Sequence, residues 1–342
     1  MQATGPSIAV VIMSYNRPDT IVAAIDSLLA QERPLTSIAG VYLADDRSTD
    51  STVAVAQARW TSRVPLTLWQ PHRNSGTWGN VNHALATLAV RHDWVLLLHD
   101  DDLVKPNWLG AMCDQIRACS ATTLSICSSW DSLNPDGATV PGEDNPSRTI
   151  ETIEPGDPSL RSTLLRGCWW HFSGCAIRTQ GFLDVGPYDP AYPQCADQDW
   201  LMRGLERGWS IDYIPRTLLV YRQHHASLSS RSFLVHQDLV EQLMLADRYG
   251  RLLSRRESRR FHARLVEFAA RRAVRALLRG RWGVLANAVK LIPRCAGSWV
   301  RSLRGGAAAP EAPRTGHQLS DGLADRLRPA LIARTHTNRE AR

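Results

Sequence analysis

The sequence predicts an α/β fold with a mostly parallel central sheet, helices on both faces and a helical extension at the C-terminus. Short apolar runs, typical of strands buried on both faces, alternate with stretches of helical periodicity. The order strand, loop, helix occurs three times and is followed by a fourth strand, a pattern that favours parallel strands joined by crossover helices. That fourth strand ends in three consecutive aspartates, Asp100–Asp102.

The predicted elements of the first hundred residues follow one another closely. Strands are expected over 7–14, 40–44, 66–69 and 94–98, and helices over 20–31, 52–59 and 81–91. The sequence contains neither GxGxxG after a strand nor GxxxxGK[ST]. A nucleotide bound here would therefore be held by loop carboxylates and a metal rather than by a glycine-rich phosphate loop.

Asp100–Asp102 form a candidate cation site. Adjacent carboxylates repel one another, so they gain from a neutralising cation or from spreading into water. In open α/β sheets, ligands bind at the C-terminal ends of the strands, and Mg²⁺ or Mn²⁺ takes one or two protein carboxylates together with substrate phosphates. A solvated acidic turn is the alternative for an isolated run of this kind.

Charge and cysteine content limit the classes of function. Residues 1–229 carry 17 Lys and Arg against 24 Asp and Glu, whereas residues 230–304 carry 17 against 5. This asymmetry disfavours a nucleic-acid binder and favours a mildly acidic catalytic region followed by basic helices. The 7 cysteines form no CxxC pair, and neither a signal peptide nor a membrane-spanning run is evident, so we expect reduced thiols and a cytoplasmic location.

Six ordered motifs between about residues 8 and 230 resemble family 2 glycosyltransferases, which have the Rossmann-like GT-A fold. The motifs are Val11–Arg17, Leu43–Thr52, Asn74–Ala84, Leu97–Asp102, Asp197–Arg203 and Tyr221–Ser229. The resemblance implies a metal-dependent inverting enzyme that moves a sugar from a nucleoside-diphosphate sugar to a hydroxyl of a glycan or lipid-linked acceptor, in cell-surface polysaccharide biosynthesis. UDP is the family's commonest nucleotide, with dTDP and GDP open.

The resemblance also implies positions that bind the donor. Ser14 resembles the residue that packs on the base and ribose. Asp45 and Asp46 match the acidic pair after the second strand, one of which contacts the uracil or ribose; Asp45 is preferred, with a helix N-cap as the alternative. Asn74 and Gly76 resemble a loop that closes over the nucleotide, with an ordinary turn as the alternative. The expected donor contacts are Ser14, Asn16, Arg17, Asp45, Asp46, Asn74, Gly76, Asn80, Asp100 and Asp101.

The metal ligands implied by the resemblance depend on its register. Asp100 and Asp102 have DxD spacing, but family members often read D-x-D-D, which would place His99 at the first acid and Asp101 and Asp102 at the last two. We retain Asp100, Asp101 and Asp102 as ligands of Mn²⁺ or Mg²⁺, expecting two to bind. His224 resembles a family histidine near the metal and diphosphate and is the fourth candidate, with a structural role as the alternative.

Asp197 is the candidate general base. The family shows Glu-Asp at this point, and here Ala196 stands where the Glu is usual. A helix is expected to begin at Asp197, and its positive N-terminal end favours an ionised carboxylate. Asp199 is the competing candidate, and an N-cap role for Asp197 is the alternative.

Three regions are expected. They are a catalytic domain over 1–230, with a nucleotide-sugar half over about 1–127 and an acceptor half over about 128–230, a basic helical region over 231–304, and a disordered tail over 305–342. In the acceptor half, Trp169 and Trp170 belong either to the core or to a sugar-stacking surface.

The basic helices either pack on the catalytic domain or lie on anionic lipid. Packing is favoured for part of them. Contact with lipid through 255–304 would place the protein at the inner face of the cell membrane.

Two rival functions remain open at this point. A nucleotide-sugar-binding protein without turnover is disfavoured by the presence of Asp197. A metal-dependent nucleotidyltransferase would need a nucleoside triphosphate and a glycine-rich or basic phosphate loop, which the sequence lacks.

Overall fold

The structure is a computed structural model that describes residues 5–142, 144, 149–157, 168, 170–224 and 235–303. Its strands are β1 Ile8–Ser14, β2 Gly40–Asp45, β3 Leu66–Trp69, β4 Trp94–His99, β5 Leu103–Val104, β6 Thr123–Leu133, β7 Thr139–Val140, β8 Glu151–Ile153, β9 Ala176–Arg178 and β10 Ser210–Arg222. Its helices are α1 Pro18–Leu29, α2 Thr52–Arg59, α3 Gly76–Leu88, α4 Trp108–Ala118, α5 Thr179–Val185, α6 Ala196–Glu206, α7 Gln237–Tyr249, α8 Arg255–Leu278 and α9 Trp282–Leu303. The predicted tail 305–342 and Trp169 lie outside the described residues.

The first four long strands form a parallel sheet in the order β3-β2-β1-β4. In its register, Ser14 lies opposite Asp45 and Met13 lies opposite His99. The carboxyl ends of β1, β2 and β4 therefore meet at one edge, where the polar loops of the sequence motifs are brought together. This part of the predicted fold is confirmed.

Beyond β4 the sheet becomes mixed. Short β9 runs antiparallel between β4 and β6, and β6 pairs in parallel with the long strand β10. Four of the nine strand pairings within the described residues are parallel, three among β1 to β4 and one between β6 and β10, so the sheet is mixed beyond β4. A three-residue strand such as β9 is too short to carry an alternation signal in the sequence.

The largest boundary difference concerns α3, which begins at Gly76 rather than at the expected residue 81. Glycines at 76 and 79 disfavour a helix by intrinsic propensity, and this is why the sequence indicated a loop. Tertiary hydrogen bonds stabilise these early turns: Trp78 Nε1 donates to Pro193 O at 2.9 Å and Asn80 Nδ2 to Ala44 O at 2.8 Å. The stretch predicted to be a flexible loop over the nucleotide is therefore partly helical.

The core lies in two layers, one on each face of the sheet. Along β1, Val10 and Ile12 belong to the layer that includes α1 and α4, whereas Val11 and Met13 belong to the layer that includes α3 and α6. This alternation follows from the opposite directions of successive side chains in a strand. Helices on both faces were predicted, and the structure agrees.

The C-terminal helices share the second layer. Residues of α7, α8 and α9, among them Tyr249, Phe261 and Leu291, are buried in the same cluster as Trp200 of α6. The basic region therefore packs on the catalytic region along part of its length, which was the favoured interpretation of its sequence. None of the helices in the described ranges is both long and apolar enough to cross a membrane.

Candidate functional site

A cavity of about 380 Å³ opens where the carboxyl ends of β1 and β4 face the start of α6. Nine of the residues predicted from the sequence to form the site line this cavity. They are Ser14, Arg17, Asp46, Asn74, Gly76, Asn80, Asp100, Asp101 and Asp197. Four others, Asn16, Asp45, Asp102 and His224, lie just outside its lining and act on it through neighbours, as described below.

The loop after β1 is joined to the loop after β2 by hydrogen bonds from backbone amides to side-chain oxygens. Asn16 has a φ of 49°, a left-handed conformation that Asn adopts more readily than most residues. The backbone amide of Asn16 donates to Ser48 Oγ at 2.9 Å, and its side-chain Oδ1 accepts from the backbone amide of Thr49 at 2.9 Å. Asn16 thus holds two loops together, while its neighbour Arg17 faces the cavity.

The two aspartates after β2 have different surroundings. Both Asp45 oxygens accept hydrogen bonds from within the protein, from the Ser48 amide at 2.8 Å, from the Ser48 hydroxyl and from Gln70 Nε2 at 2.8 Å. Asp46 lines the cavity, and its Oδ1 accepts from the amide and hydroxyl of Ser75, each at 2.8 Å. The structure therefore favours Asp46 over Asp45, which the sequence analysis preferred, because the Asp45 carboxylate is already occupied in shaping its loop.

Asn74, Gly76 and Asn80 form the wall next to Asp46. Asn74 Nδ2 donates to Asp46 O at 2.8 Å, so this wall is fixed to the end of β2. Gly76 has a φ of 73° and no atom near the position of a Cβ, so its backbone conformation, rather than space, favours glycine there. Asn80 is 3% exposed, and its Oδ1 has no hydrogen-bond partner among the described residues.

The three consecutive aspartates point in different directions. Asp100 turns towards the loop after β1, where its Oδ2 accepts from the Tyr15 amide at 3.0 Å. Burial, together with the charge of Asp101, raises the pKa of Asp100 to about 7. Asp102 is fully buried and its Oδ1 accepts from the Arg222 amide at 3.0 Å.

The end of β10 is joined to this acidic loop. Arg222 Nε donates to Asp101 O at 2.9 Å, and His224 Nε2 lies 2.8 Å from Asp101 Oδ2. His224 thus contacts the acid in the middle of the run, which its distance along the chain did not reveal. The remainder of the motif, residues 225–229, lies outside the described residues.

The group that could hold a cation contains two of the three retained aspartates, Asp101 and Asp102, together with His99, as in the D-x-D-D register. Ligand atoms of His99, Asp101 and Asp102 lie within 4.8 Å of one another. His99 Nε2 and Asp102 Oδ2 are buried and make no hydrogen bond within the described part of the chain, and burial lowers the pKa of His99, which favours the neutral imidazole that binds metals. The expected ligand Asp100 is not in this group, because its carboxylate faces Tyr15, and His224 is a hydrogen-bond partner of Asp101.

Asp197 occupies the first turn of α6 and faces the same cavity as Asp100 and Asp101. Burial raises its pKa to about 6, while the Gln198 amide, which donates to Asp197 Oδ1 at 2.8 Å, acts in the opposite direction. The rival Asp199 is fully buried and holds Arg203 and Arg248 at 2.8 and 3.0 Å. Asp199 does not line the cavity, so its role is structural.

The same cavity has an aromatic wall, part of which comes from the aromatic cluster that contains Trp170. The wall consists of Trp78, Phe172, His171 and Tyr221, which all line the cavity. His171 packs against Tyr221 with ring centroids 4.7 Å apart, and burial lowers the pKa of His171 to about 4. Trp78 and Tyr221 lie inside recognised motifs, and His171 and Phe172 directly follow Trp169 and Trp170 in the sequence, so clustering of aromatic residues was the available signal for them.

Trp170, left open between core and acceptor surface, is mainly a core residue. Its side chain is 2% exposed, and its Nε1 donates to Ser125 Oγ at 3.1 Å. It touches the cavity only as part of the floor beneath Phe172.

Comparison with known proteins gives consistent matches. Residues 9–132 match the sequence profile of glycosyl transferase family 2. The succinoglycan biosynthesis protein ExoO of Rhizobium meliloti (strain 1021) is 37% identical over 116 residues, 34% of this chain and 31% of that protein. An uncharacterized glycosyltransferase of Haemophilus influenzae is 25% identical over 225 residues, 66% of this chain and 71% of that protein.

A third relative, an uncharacterized glycosyltransferase of Mycoplasma pneumoniae, is 31% identical over 111 residues. The matched segments cover 31% of ExoO and 36% of the Mycoplasma pneumoniae protein, so the chain spans about a third of the length of these two relatives. Among solved structures, S. aureus TarS 1–349 in complex with UDP-GlcNAc superposes with a TM-score of 0.54 at 16% identity, covering 87% of this chain and 92% of that one. At this identity the likeness shows a common fold.

Proposed function

We propose that the chain is a family 2 glycosyltransferase of the GT-A fold and that it transfers a sugar from a nucleoside-diphosphate sugar to an acceptor hydroxyl with inversion at the anomeric carbon. The observation that carries this proposal is that one cavity is lined by a donor-side acid, Asp46, by the acidic loop of β4, and by Asp197. Inversion in one step requires a supported leaving group and a separate base, and these groups provide both.

On the donor side, Asp46, Asn80 and the backbone of residues 14–17 bind the nucleoside. Asp46 accepts hydrogen bonds from Ser75 through Oδ1, so its other oxygen is available for a base or ribose donor. We take UDP as the first candidate nucleotide, supported by the UDP and UDP-GlcNAc complexes of TarS, which has the same fold. A role in polysaccharide biosynthesis, suggested by the name of ExoO, is part of the same proposal.

His99, Asp101 and Asp102 would hold Mn²⁺ or Mg²⁺, and His224 would fix Asp101. A divalent cation held by these residues would supply positive charge to the departing diphosphate. Arg17 and Arg222 line the same cavity and add positive charge near the phosphates. Burial, and after it the charge of Asp101, raises the pKa of Asp102 well above its usual value.

Asp197 accepts the proton of the attacking hydroxyl. With a pKa of about 6 its carboxylate is mostly ionised at neutral pH and is still basic enough to take a proton. Its place at the N-terminus of α6 favours the charged form before the reaction. The aromatic wall excludes water and offers flat apolar faces to an acceptor sugar.

We also propose the regional division given by the sequence, with catalysis within 1–230 and basic helices within 231–304. The helices α8 and α9 would bring the enzyme to anionic lipid at the inner face of the membrane, where a lipid-linked acceptor would be available. Exposed apolar side chains next to arginines support this proposal; Leu278 is 80% and Trp282 is 68% exposed.

A thermal-shift panel of UDP, dTDP, GDP and their sugars, with and without Mn²⁺, tests the function. A ligand that binds the folded state alone raises the melting temperature, so we expect one nucleoside diphosphate to do so in a Mn²⁺-dependent way. Its nucleotide sugars then serve as donors in an assay of nucleoside diphosphate release. Stabilisation by nucleoside triphosphates with release of pyrophosphate would indicate a nucleotidyltransferase, and binding without turnover would indicate a binding protein; both results contradict the proposal.

A further inference from the structure

Glu241 is a buried carboxylate that the mechanism above does not use. It lies on α7, far outside the segment matched by the family profile, and its side chain has no exposed surface. Burying a carboxylate is costly unless strong hydrogen bonds compensate for the lost water. A buried acid in a helix that otherwise packs through Leu239 and Leu245 therefore calls for a specific partner.

The partners of Glu241 are the two backbone amides that lead into α6. Its Oε2 accepts from the Gln194 amide at 2.8 Å and from the Cys195 amide at 2.7 Å. Asp197 follows two residues after Cys195, in the first turn of the helix. The position of the proposed base thus depends on a turn that is held by a charge from α7.

A second set of contacts continues along the same helix pair. Gln242 Nε2 donates to Gln198 Oε1 at 3.0 Å, and about two turns further along α7 Arg248 and Tyr249 both donate to Asp199, at 3.0 and 2.8 Å. Helix α7 therefore holds α6 on both sides of Asp197. Since a displacement of about 1 Å can cost ~10²-fold in rate, these contacts are relevant to the chemistry as well as to folding.

Several charged and titratable groups surround Asp197, and Glu241 is the acid among them that lies on α7. Burial raises the pKa values of the thiols of Cys168 and Cys195 and of the Tyr188 hydroxyl, so these groups are neutral at neutral pH. The buried Asp199 is neutralised by its two arginines. The cavity contributes Asp100, Asp101, His99 and His171. The charge of Glu241 adds to burial in raising the pKa of Asp197.

We propose that Glu241 is a positioning residue for Asp197, which it serves by binding the turn before α6 and by placing a negative charge next to the base. Through Glu241, the basic C-terminal region contributes to the geometry of the active site. This inference rests on the proposed function, because it takes Asp197 to be the base.

The test compares Glu241→Ala and Glu241→Gln with wild type, using release of nucleoside diphosphate from the donor identified in the thermal-shift panel. Glu241→Ala removes both hydrogen bonds, so we expect kcat to fall about 10²-fold with KM for the donor unchanged. Glu241→Gln keeps an acceptor oxygen for the two amides, so it recovers most of kcat. Glu241→Gln also removes the negative charge that raises the pKa of Asp197. We therefore expect the acid limb of its pH profile of kcat to lie at lower pH than that of wild type.

Asp238→Asn is the matched control. Asp238 lies on the same helix and binds Arg272 through two hydrogen bonds of 2.7 Å, away from the cavity. We expect this variant to lose thermal stability and to keep kcat and the pH profile. A Glu241→Ala enzyme that folds and retains the kcat of Asp238→Asn, or an acid limb that Glu241→Gln does not move, overturns the proposal.

Amide hydrogen exchange separates this inference from the proposed function. Exchange at Gln194 and Cys195 should be faster in Glu241→Ala than in wild type, whether or not a donor has been found. Unchanged exchange at these amides contradicts the anchoring role alone. A wild-type protein that binds nucleotide sugars but releases no diphosphate contradicts the proposed function, and the exchange result still decides whether Glu241 holds the turn.

Discussion

At the residue scale, Asp197 is subject to two opposing influences. Burial disfavours its charge, whereas the amide of Gln198 and the N-terminal end of α6 favour it. The net pKa of about 6 lies close to the operating pH of a cell, which is the condition for an efficient general base. Asp199, two residues further on, is committed to Arg203, Arg248 and Tyr249 and cannot take this role without breaking its ion pairs.

Replacement Asp197→Asn should lower kcat by about 10²–10⁴-fold, the usual contribution of a positioned base. Donor affinity should stay unchanged, because the carboxylate acts on the acceptor hydroxyl. Diphosphate release and calorimetric titration with nucleotide check the two parts separately. Asp184→Asn, at an exposed acid of α5, is the control; an equal loss of nucleotide binding in Asp197→Asn would identify Asp197 as a structural cap.

The pH dependence follows from the same group. The raised pKa means that Asp197 becomes protonated as the pH falls through about 6, and a protonated carboxyl cannot accept the hydroxyl proton. We expect kcat to be flat above neutrality and to fall about tenfold per pH unit well below pH 6. A profile of kcat between pH 4.5 and 8 in saturating donor measures this, and activity that persists unchanged at pH 4.5 would argue for another base.

Separate substitutions of the adjacent aspartates Asp100 and Asp101 distinguish the two possible sets of metal ligands. Asp101 belongs to the group with His99 and Asp102, whereas Asp100 faces Tyr15. Asp101→Asn should therefore abolish the stabilisation by Mn²⁺ in thermal shift, and Asp100→Asn should retain it. The opposite outcome would restore the DxD register, with Asp100 and Asp102 as the ligands.

At the element scale, the role of α8 is to complete a core layer begun by α3 and α6. Phe261 is 5% exposed and belongs to that layer, whereas Phe268 on the same helix is 36% exposed and lies beneath Arg264. The helix is fixed at its start by a capping box between Ser254 and Glu257. Its arginines remain largely on the outer surface, as the spacing of the apolar residues indicated.

Phe261→Ala should reduce the free energy of unfolding by about 3–5 kcal/mol, because it leaves a cavity in the shared core. Phe268→Ala, the matched control, should change it by about 0.5 kcal/mol or less. Urea unfolding followed by tryptophan fluorescence measures both. Equal effects of the two substitutions would mean that α8 is not part of the core layer of the catalytic region.

The elements also show what the sequence could and could not predict. Strands β1 to β4 and α2 were predicted within a residue or two, because each is an apolar run bounded by polar turns. The start of α3 was missed because its stability depends on Pro193 and Ala44, which are distant in sequence. The preference for Asp45 over Asp46 and the absence of Glu241 from the predicted site have the same reason, because each depends on a side-chain direction or a contact across the chain that motif spacing does not carry. The set His99, Asp101 and Asp102, by contrast, is one of the two registers that the motif allowed.

At the scale of the whole molecule, charge is divided between two regions. The first 229 residues have an excess of acids and residues 230–304 an excess of bases. The basic helices carry exposed apolar side chains as well, including Val274, Leu277, Leu278 and Trp282. Basic and apolar groups on one surface are typical of helices that lie in a lipid headgroup layer.

The protein should therefore float with vesicles that contain phosphatidylglycerol at low salt and be released at ~0.5 M salt, where the Debye length is short. Neutral phosphatidylcholine vesicles are the control and should bind little. Leu278→Asp should weaken flotation without affecting turnover of a water-soluble acceptor, since its side chain is 80% exposed. Equal binding to neutral and anionic vesicles would contradict the electrostatic part of the proposal.

The contacts between α7 and α6 set a rule for engineering. A graft that stopped at residue 230 would import a new start of α6 without the Glu241 carboxylate, 46 residues after Cys195, that binds its amides. A chimaera of this chain with a homologue should therefore take residues 194–199 and 241–249 from the same parent, so that the proposed base Asp197 keeps the contacts that hold its helix.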